Sequence, residues 1–105
     1  MSHNTLNQYV SEIDALMTST IEKESFSRIL ARGLVLLELE QKEFAYQLDV
    51  SPPTVHRWVA GKNMPYQIVA RAVLAHMKNL IEQKNTQMLI PAGLSVPSEQ
   101  PQIAF

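Results

Sequence analysis

Apolar residues recur along this chain at the three- and four-residue intervals of amphipathic helices. Leu6, Tyr9, Val10, Ile13, Leu16 and Met17 predict an N-terminal helix over 5–18. Asn4 or Thr5 is its expected N-cap, and the polar run Thr18-Ser19-Thr20 its end. A second segment starts near Ile21, with Glu22 and Glu24 in its first turn, where the helix dipole favours acids. Its inward face is Phe26, Ile29, Leu30, Leu34 and Leu37. Gly33 inside it costs about 1 kcal/mol relative to Ala, so either close packing requires the glycine or the helix bends there.

The next stretch, Gln41 to Pro65, changes rhythm. Gln41 to Leu48 reads as a short helix with Phe44, Ala45 and Leu48 on one face. Ser51-Pro52-Pro53 then reads as N-cap, N1 and N2 of a helix over 52–60. Serine supplies a capping oxygen, and proline fits positions whose N–H has no intrahelical partner. Val55 and Trp58 form the buried stripe of that helix, and Gly61 fits the residue just past its end. Pro65 opens a last long helix to about Lys84, carrying Ile68, Val69, Ala72, Val73, Met77, Leu80 and Ile81.

These elements predict an all-α fold: a compact bundle of about five helices around a central helix-turn-helix at 41–60, in a single domain over 1–85. Residues 86–105 hold three of the six prolines and a single charge. That composition predicts a Pro-containing tail, either extended or disordered, with Met88-Leu89-Ile90 and Ile103-Ala104-Phe105 available to dock on the body or on a partner.

Charge adds a second layer. The net charge is −1, yet all nine Lys and Arg lie between Lys23 and Lys84, where they face six acids. The balance there is +3, and the remaining four acids sit in the flanks. A weakly basic centre between acidic ends suits a site-selective binder better than an indiscriminate nucleic-acid coat. No apolar run approaches a bilayer-spanning length, and MSHNTLNQYV lacks the basic and apolar regions of a secretory signal. With no Cys there is neither a disulfide framework nor a thiolate metal site. A cytoplasmic setting is the expectation.

From Gln41 to Trp58 the chain resembles the helix-turn-helix of the lambda-repressor/Cro-like, or xenobiotic-response-element, family. Gln41 opens the first motif helix, Ala45 stands where the two helices cross closely, Val50 and Val55 are apolar pins, and Trp58 fills the large apolar position. The ending Trp58-Val-Ala-Gly61-Lys-Asn-Met-Pro65 is similar to the family's W-x-x-G-x-x-x-P finish. The likeness extends over Phe26 to Leu80, about half of the chain. Two positions depart from it: Asp49 where the family usually has Gly at the corner, and Glu40 where it has Ser or Thr. Asp tolerates the left-handed conformation better than most residues. Glu40 is a poorer cap and puts a carboxylate near the expected phosphate path.

The resemblance implies that the second motif helix lies in the major groove of double-stranded DNA. Carried over by position, its base-reading residues are Pro52, Pro53, Thr54, His56 and Arg57. Helical geometry agrees, because side chains beside the buried Val55 and Trp58 point away from the core. Arg57 can bond bidentately to guanine, worth about 1–3 kcal/mol of discrimination. His56 can donate to a base or a phosphate, and Pro53 and Thr54 can meet a thymine methyl. Gln41, Lys42, Ser51, Lys62, Asn63 and Tyr66 are placed for phosphate contacts, which fix register without reading sequence. The competing readings are plain solvent exposure for His56 and Arg57 and ordinary loop solvation for Lys62.

Other chemistries find no support in the sequence. His3, His56 and His76 lack metal-ligand spacing, and no H-E-x-x-H, phosphate loop or nucleophile elbow occurs. No catalytic residue, metal or cofactor is expected. The leading expectation is a DNA-binding transcriptional regulator, a repressor acting as a homodimer on a two-fold operator. The alternative is a protein-interaction module, such as an antitoxin or phage-type inhibitor, that uses the same fold as a scaffold. It would engage a protein partner through the 86–105 tail or the N-terminal helix.

Overall fold

Five helices follow one another in a computed structural model that describes residues 3–89, with side chains described for 4–86. They are α1 His3–Leu16, α2 Lys23–Leu37, α3 Gln41–Leu48, α4 Pro52–Val59 and α5 Gln67–Leu89. The fold is all-α, and no strand occurs among the described residues. None of these helices is long and apolar enough to cross a membrane.

One core joins all five. Leu6, Tyr9 and Ile13 of α1 meet Leu74, Met77 and Ile81 of α5, and α2 lays Phe26, Ile29, Leu30 and Leu34 into the same cluster. Phe44, Ala45, Val55 and Trp58 anchor α3 and α4 to it. Gly33 shows why α2 tolerates a poor helix former. A Cβ there would lie 2.5 Å from Met77 Sδ and closer still to the Tyr9 hydroxyl. Close packing, rather than a bend, demands the glycine. Polar clamps fix the remaining connections. Gln67 brackets Ile21, donating to its carbonyl and accepting from its N–H at 2.9 Å each. Arg71 donates to the carbonyls of Met17 and Ser19, holding the turn that follows α1.

Several boundaries differ from the sequence expectation. Helix α1 covers 3–16 rather than 5–18, so Asn4 and Thr5 are helical residues and not its cap. Pro65 does not open α5: Gln67 is its first residue, and the Tyr66 carbonyl accepts from the Ala70 N–H at 2.8 Å. The helix continues past Lys84 to Leu89, taking Thr86–Leu89 out of the expected tail. No proline or glycine interrupts that stretch, and the first breaker is Pro91. The expected tail over 90–105, including Ile103-Ala104-Phe105, lies outside the described residues.

The rotation of α5 also differs. Its buried face is Ala70, Val73, Leu74, Met77 and Ile81, whereas Ile68 is 81% exposed and Val69 and Ala72 face solvent. Apolar residues lie on more than one side of this helix, so periodicity alone does not choose between the stripes. Ile68 and Val69 belong to its first turn, while the stripe that packs under α1 and α2 begins at Ala70. Leu37 and Leu48, expected on inward faces, are half-buried.

Candidate nucleic-acid interface

Two helices of eight residues each, α3 and α4, are joined by the three-residue turn Asp49-Val50-Ser51. The turn closes α3 by a pair of backbone bonds. Val50 N–H donates to the Ala45 carbonyl at 3.0 Å and Asp49 N–H to that of Tyr46 at 3.2 Å. This geometry needs a left-handed residue, and Asp49 takes that place at φ 60°. Ala45 is fully buried, and Val50 packs partly buried against the core beside it. The hydrophobic contact that accompanies such caps offsets the strain of a non-glycine residue there.

Helix α4 starts as its sequence dictates. Ser51 is the N-cap in extended conformation, its Oγ accepting from the Thr54 N–H at 3.3 Å, with Pro52 and Pro53 in the first turn. The prolines remove two N–H groups that a helix start would otherwise offer to an anion. An anion at this end would therefore have to be held by side chains. At the other end Gly61, at φ 77°, lets the chain fold back. Lys62 N–H donates to the Arg57 carbonyl at 3.0 Å and Gly61 N–H to that of Trp58 at 3.1 Å. The same cap that closes α3 thus closes α4, here with the residue best suited to it.

The inward side of α4 is rigidly held. Val55 is completely buried, and Trp58 meets the Phe26 ring edge-on at 5.9 Å between centroids. The Ser27 hydroxyl of α2 donates to the Val59 carbonyl at 2.7 Å. Outward, His56, Arg57 and Pro53 are exposed, and Pro52 and Thr54 half-exposed. Among the described residues the Arg57 side chain has no hydrogen-bond or ion-pair partner, so its guanidinium is uncommitted. Both His56 and Arg57 lie in the last turn of α4, where the helix dipole favours cations.

His56 is not independent of α3. Its Nδ1 lies 3.2 Å from Gln41 Oε1. An amide oxygen only accepts, so Nδ1 carries the proton in this arrangement, and Nε2 is left facing outward. In the neutral ring that Nε2 is an acceptor, matching a base amino group. Protonated, it becomes a donor.

The residues expected at phosphates form a less uniform set. Lys42, Ser51, Lys62, Asn63 and Tyr66 are exposed, Tyr66 at 88%, while Gln41 is half-buried and engaged with His56. Ser51 is also committed, with its Oγ 2.7 Å from Thr54 Oγ1. Glu40, a weak cap by its chemistry, is assisted by Glu43, whose carboxylate accepts from the Glu40 N–H at 3.4 Å. Sequence reasoning missed the positioning role of Gln41; a glutamine fifteen positions before an exposed histidine carries no local signal. No group of acidic and histidine side chains suited to a metal ion occurs among the described residues.

Compared with protein-family models, curated proteins and solved structures, the chain matches none.

Proposed function

We propose that this is a cytoplasmic, non-enzymatic transcriptional regulator of the Cro-like kind, a repressor that reads the major groove of DNA with α4. One observation carries the reading. On a single eight-residue helix, Val55 and Trp58 are buried while His56 and Arg57 between them stand in solvent. A short helix pinned from beneath and presenting an uncommitted guanidinium suits base readout, in which Arg bonds guanine O6 and N7 together. Lys62 and Asn63 flank that face for phosphate contacts, and Lys42 lies beside Gln41 at the start of α3. Two copies on a two-fold operator would read half-sites about 34–36 Å apart.

Selection of bound sequences from a random DNA pool by the full chain tests this. The expected result is a two-fold enriched site with a guanine whose preference disappears in Arg57→Ala, a loss of about 1–3 kcal/mol at that position alone. Absence of any enriched sequence would end the reading.

The protein-interaction alternative draws on a different feature: Val35 of α2 is 75% exposed and shares a shallow hollow with Ala31, Arg32 and Leu36. A mobility shift over a salt series separates the two, because binding through phosphates weakens steeply as salt rises.

A further inference from the structure

Gln41 opens α3 and His56 lies on the outward face of α4, yet their side chains meet, with 3.2 Å between Oε1 and Nδ1. The amide oxygen only accepts, so this bond holds the ring proton on Nδ1. In a neutral imidazole the other nitrogen then carries a lone pair and no hydrogen. His56 is exposed, and among the described residues its side chain has no further hydrogen-bond partner. The lone pair on Nε2 is open to a ligand.

We infer that Gln41 makes His56 a selector of amino-bearing bases, so that the operator position it meets is adenine or cytosine while the ring is neutral. In the major groove adenine offers its N6 amino group and cytosine its N4. Guanine presents acceptors alone there, and thymine an acceptor and a methyl. An acceptor set against an acceptor leaves both unsatisfied. Arg57 carries donors only and has the opposite need, a guanine. Adjacent residues of α4 thus select bases of opposite hydrogen-bonding character. The inference rests on the proposed DNA reading and adds to it the class of base.

Protonation reverses the selection. Histidine changes charge between about pH 5 and 8, and the imidazolium donates from both nitrogens. The bond to Gln41 survives, because Nδ1 keeps its hydrogen, while Nε2 turns from acceptor to donor. Cytosine, which offers no acceptor in the major groove, is then rejected, and guanine or thymine is admitted. The charged neighbours are Glu38, Glu40 and Lys42, which line the hollow shared by Gln41 and Val59, and Arg57 on α4 itself. Duplex phosphates favour the imidazolium, so the neutral ring is probed on the alkaline side.

Selection of bound sequences from a random DNA pool by the full chain, at about pH 8 and about pH 5.5, is the test. Nitrogen NMR of the free protein at the alkaline end reads which ring nitrogen holds the proton. The expected spectrum places it on Nδ1 of His56. At alkaline pH one position should favour adenine or cytosine over guanine and thymine by on the order of fivefold, the worth of one hydrogen bond. At acid pH cytosine should drop out there, with the guanine assigned to Arg57 unchanged. Gln41→Ala should erase the alkaline preference. Gln41→Glu, whose carboxylate still accepts from Nδ1 and favours the imidazolium, should keep the position selective and move its reversal to higher pH. A proton on Nε2 overturns the inference, as does a sequence preference identical at both pH values. Absence of any enriched sequence at either pH overturns the DNA reading and the base assignment with it. The spectrum of the free protein distinguishes that failure from a misplaced ring proton.

Discussion

Gln41, the first residue of α3, accepts a hydrogen bond from His56 on the outward face of α4, with 3.2 Å between Oε1 and Nδ1. The pair ties the entry of one helix to the outward face of the next and fixes which ring nitrogen faces outward. Gln41→Ala should therefore loosen His56 without touching Arg57. Base preference at the position served by His56 should flatten by about 1 kcal/mol, the worth of one ordinary hydrogen bond. The guanine preference assigned to Arg57 should persist. Selection from a random pool checks both at once, and an unchanged preference at the first position would show that the link orients nothing that DNA contacts.

Lys62 behaves differently because of where the chain turns. Its N–H is bonded back to the Arg57 carbonyl, so its backbone lies beside α4 at the end furthest from the prolines. An exposed lysine there has a phosphate, not a base edge, as its expected partner. Lys62→Ala should weaken all DNA sequences alike. The log–log dependence of affinity on salt should become shallower by about 0.9, one phosphate contact in duplex DNA. A loss confined to one sequence position would refute this assignment.

Helices α3 and α4 were legible in the chain because their ends are written in special residues. Ser51-Pro52-Pro53 leaves little choice about where α4 begins, and Gly61 about where it ends. Asp49 was the harder case, and its left-handed conformation follows from Val50 having to reach back to Ala45. Glu38 adopts the same conformation at the end of α2, where Leu39 N–H bonds to the Leu34 carbonyl at 3.0 Å. Nothing in glutamate advertises that; only the five-residue spacing of two leucines does. The rotation of α5 was hidden for the opposite reason, since apolar residues ring its first turns. The Gln41–His56 contact depends on how two helices cross, which local pattern does not encode.

Gly33 gives a test of packing independent of function. Alanine would gain about 1 kcal/mol of helix propensity at this position. Against that, its Cβ would meet Met77 Sδ and the Tyr9 hydroxyl, and the hydroxyl is anchored to the Ile29 carbonyl. Overpacking of this kind costs about 1–3 kcal/mol, so the steric term should win. A melting temperature lower by several degrees is expected for Gly33→Ala. A rise would mean that Tyr9 and Met77 yield more easily than their surroundings suggest.

Tyr9 itself makes stability depend on alkaline pH. The residue is completely buried, and burial pushes its phenol well above the ordinary value near 10, opposed by the Arg32 guanidinium 5.5 Å from the ring centroid. A pKa raised by folding means that the unfolded chain loses this proton first. The contribution is therefore intact below about pH 10 and declines as pH climbs toward the folded value, by up to about 1.4 kcal/mol per pH unit. Lys78, raised by its hydrogen bond to Asp14, contributes in the same direction. Tyr9→Phe removes only the phenol's share. It should cost about 1 kcal/mol near neutrality through the lost bond to Ile29, and its melting temperature should fall less steeply than that of the native chain above pH 10. Parallel alkaline slopes for the two proteins would show that Tyr9 already reaches solvent in the folded state.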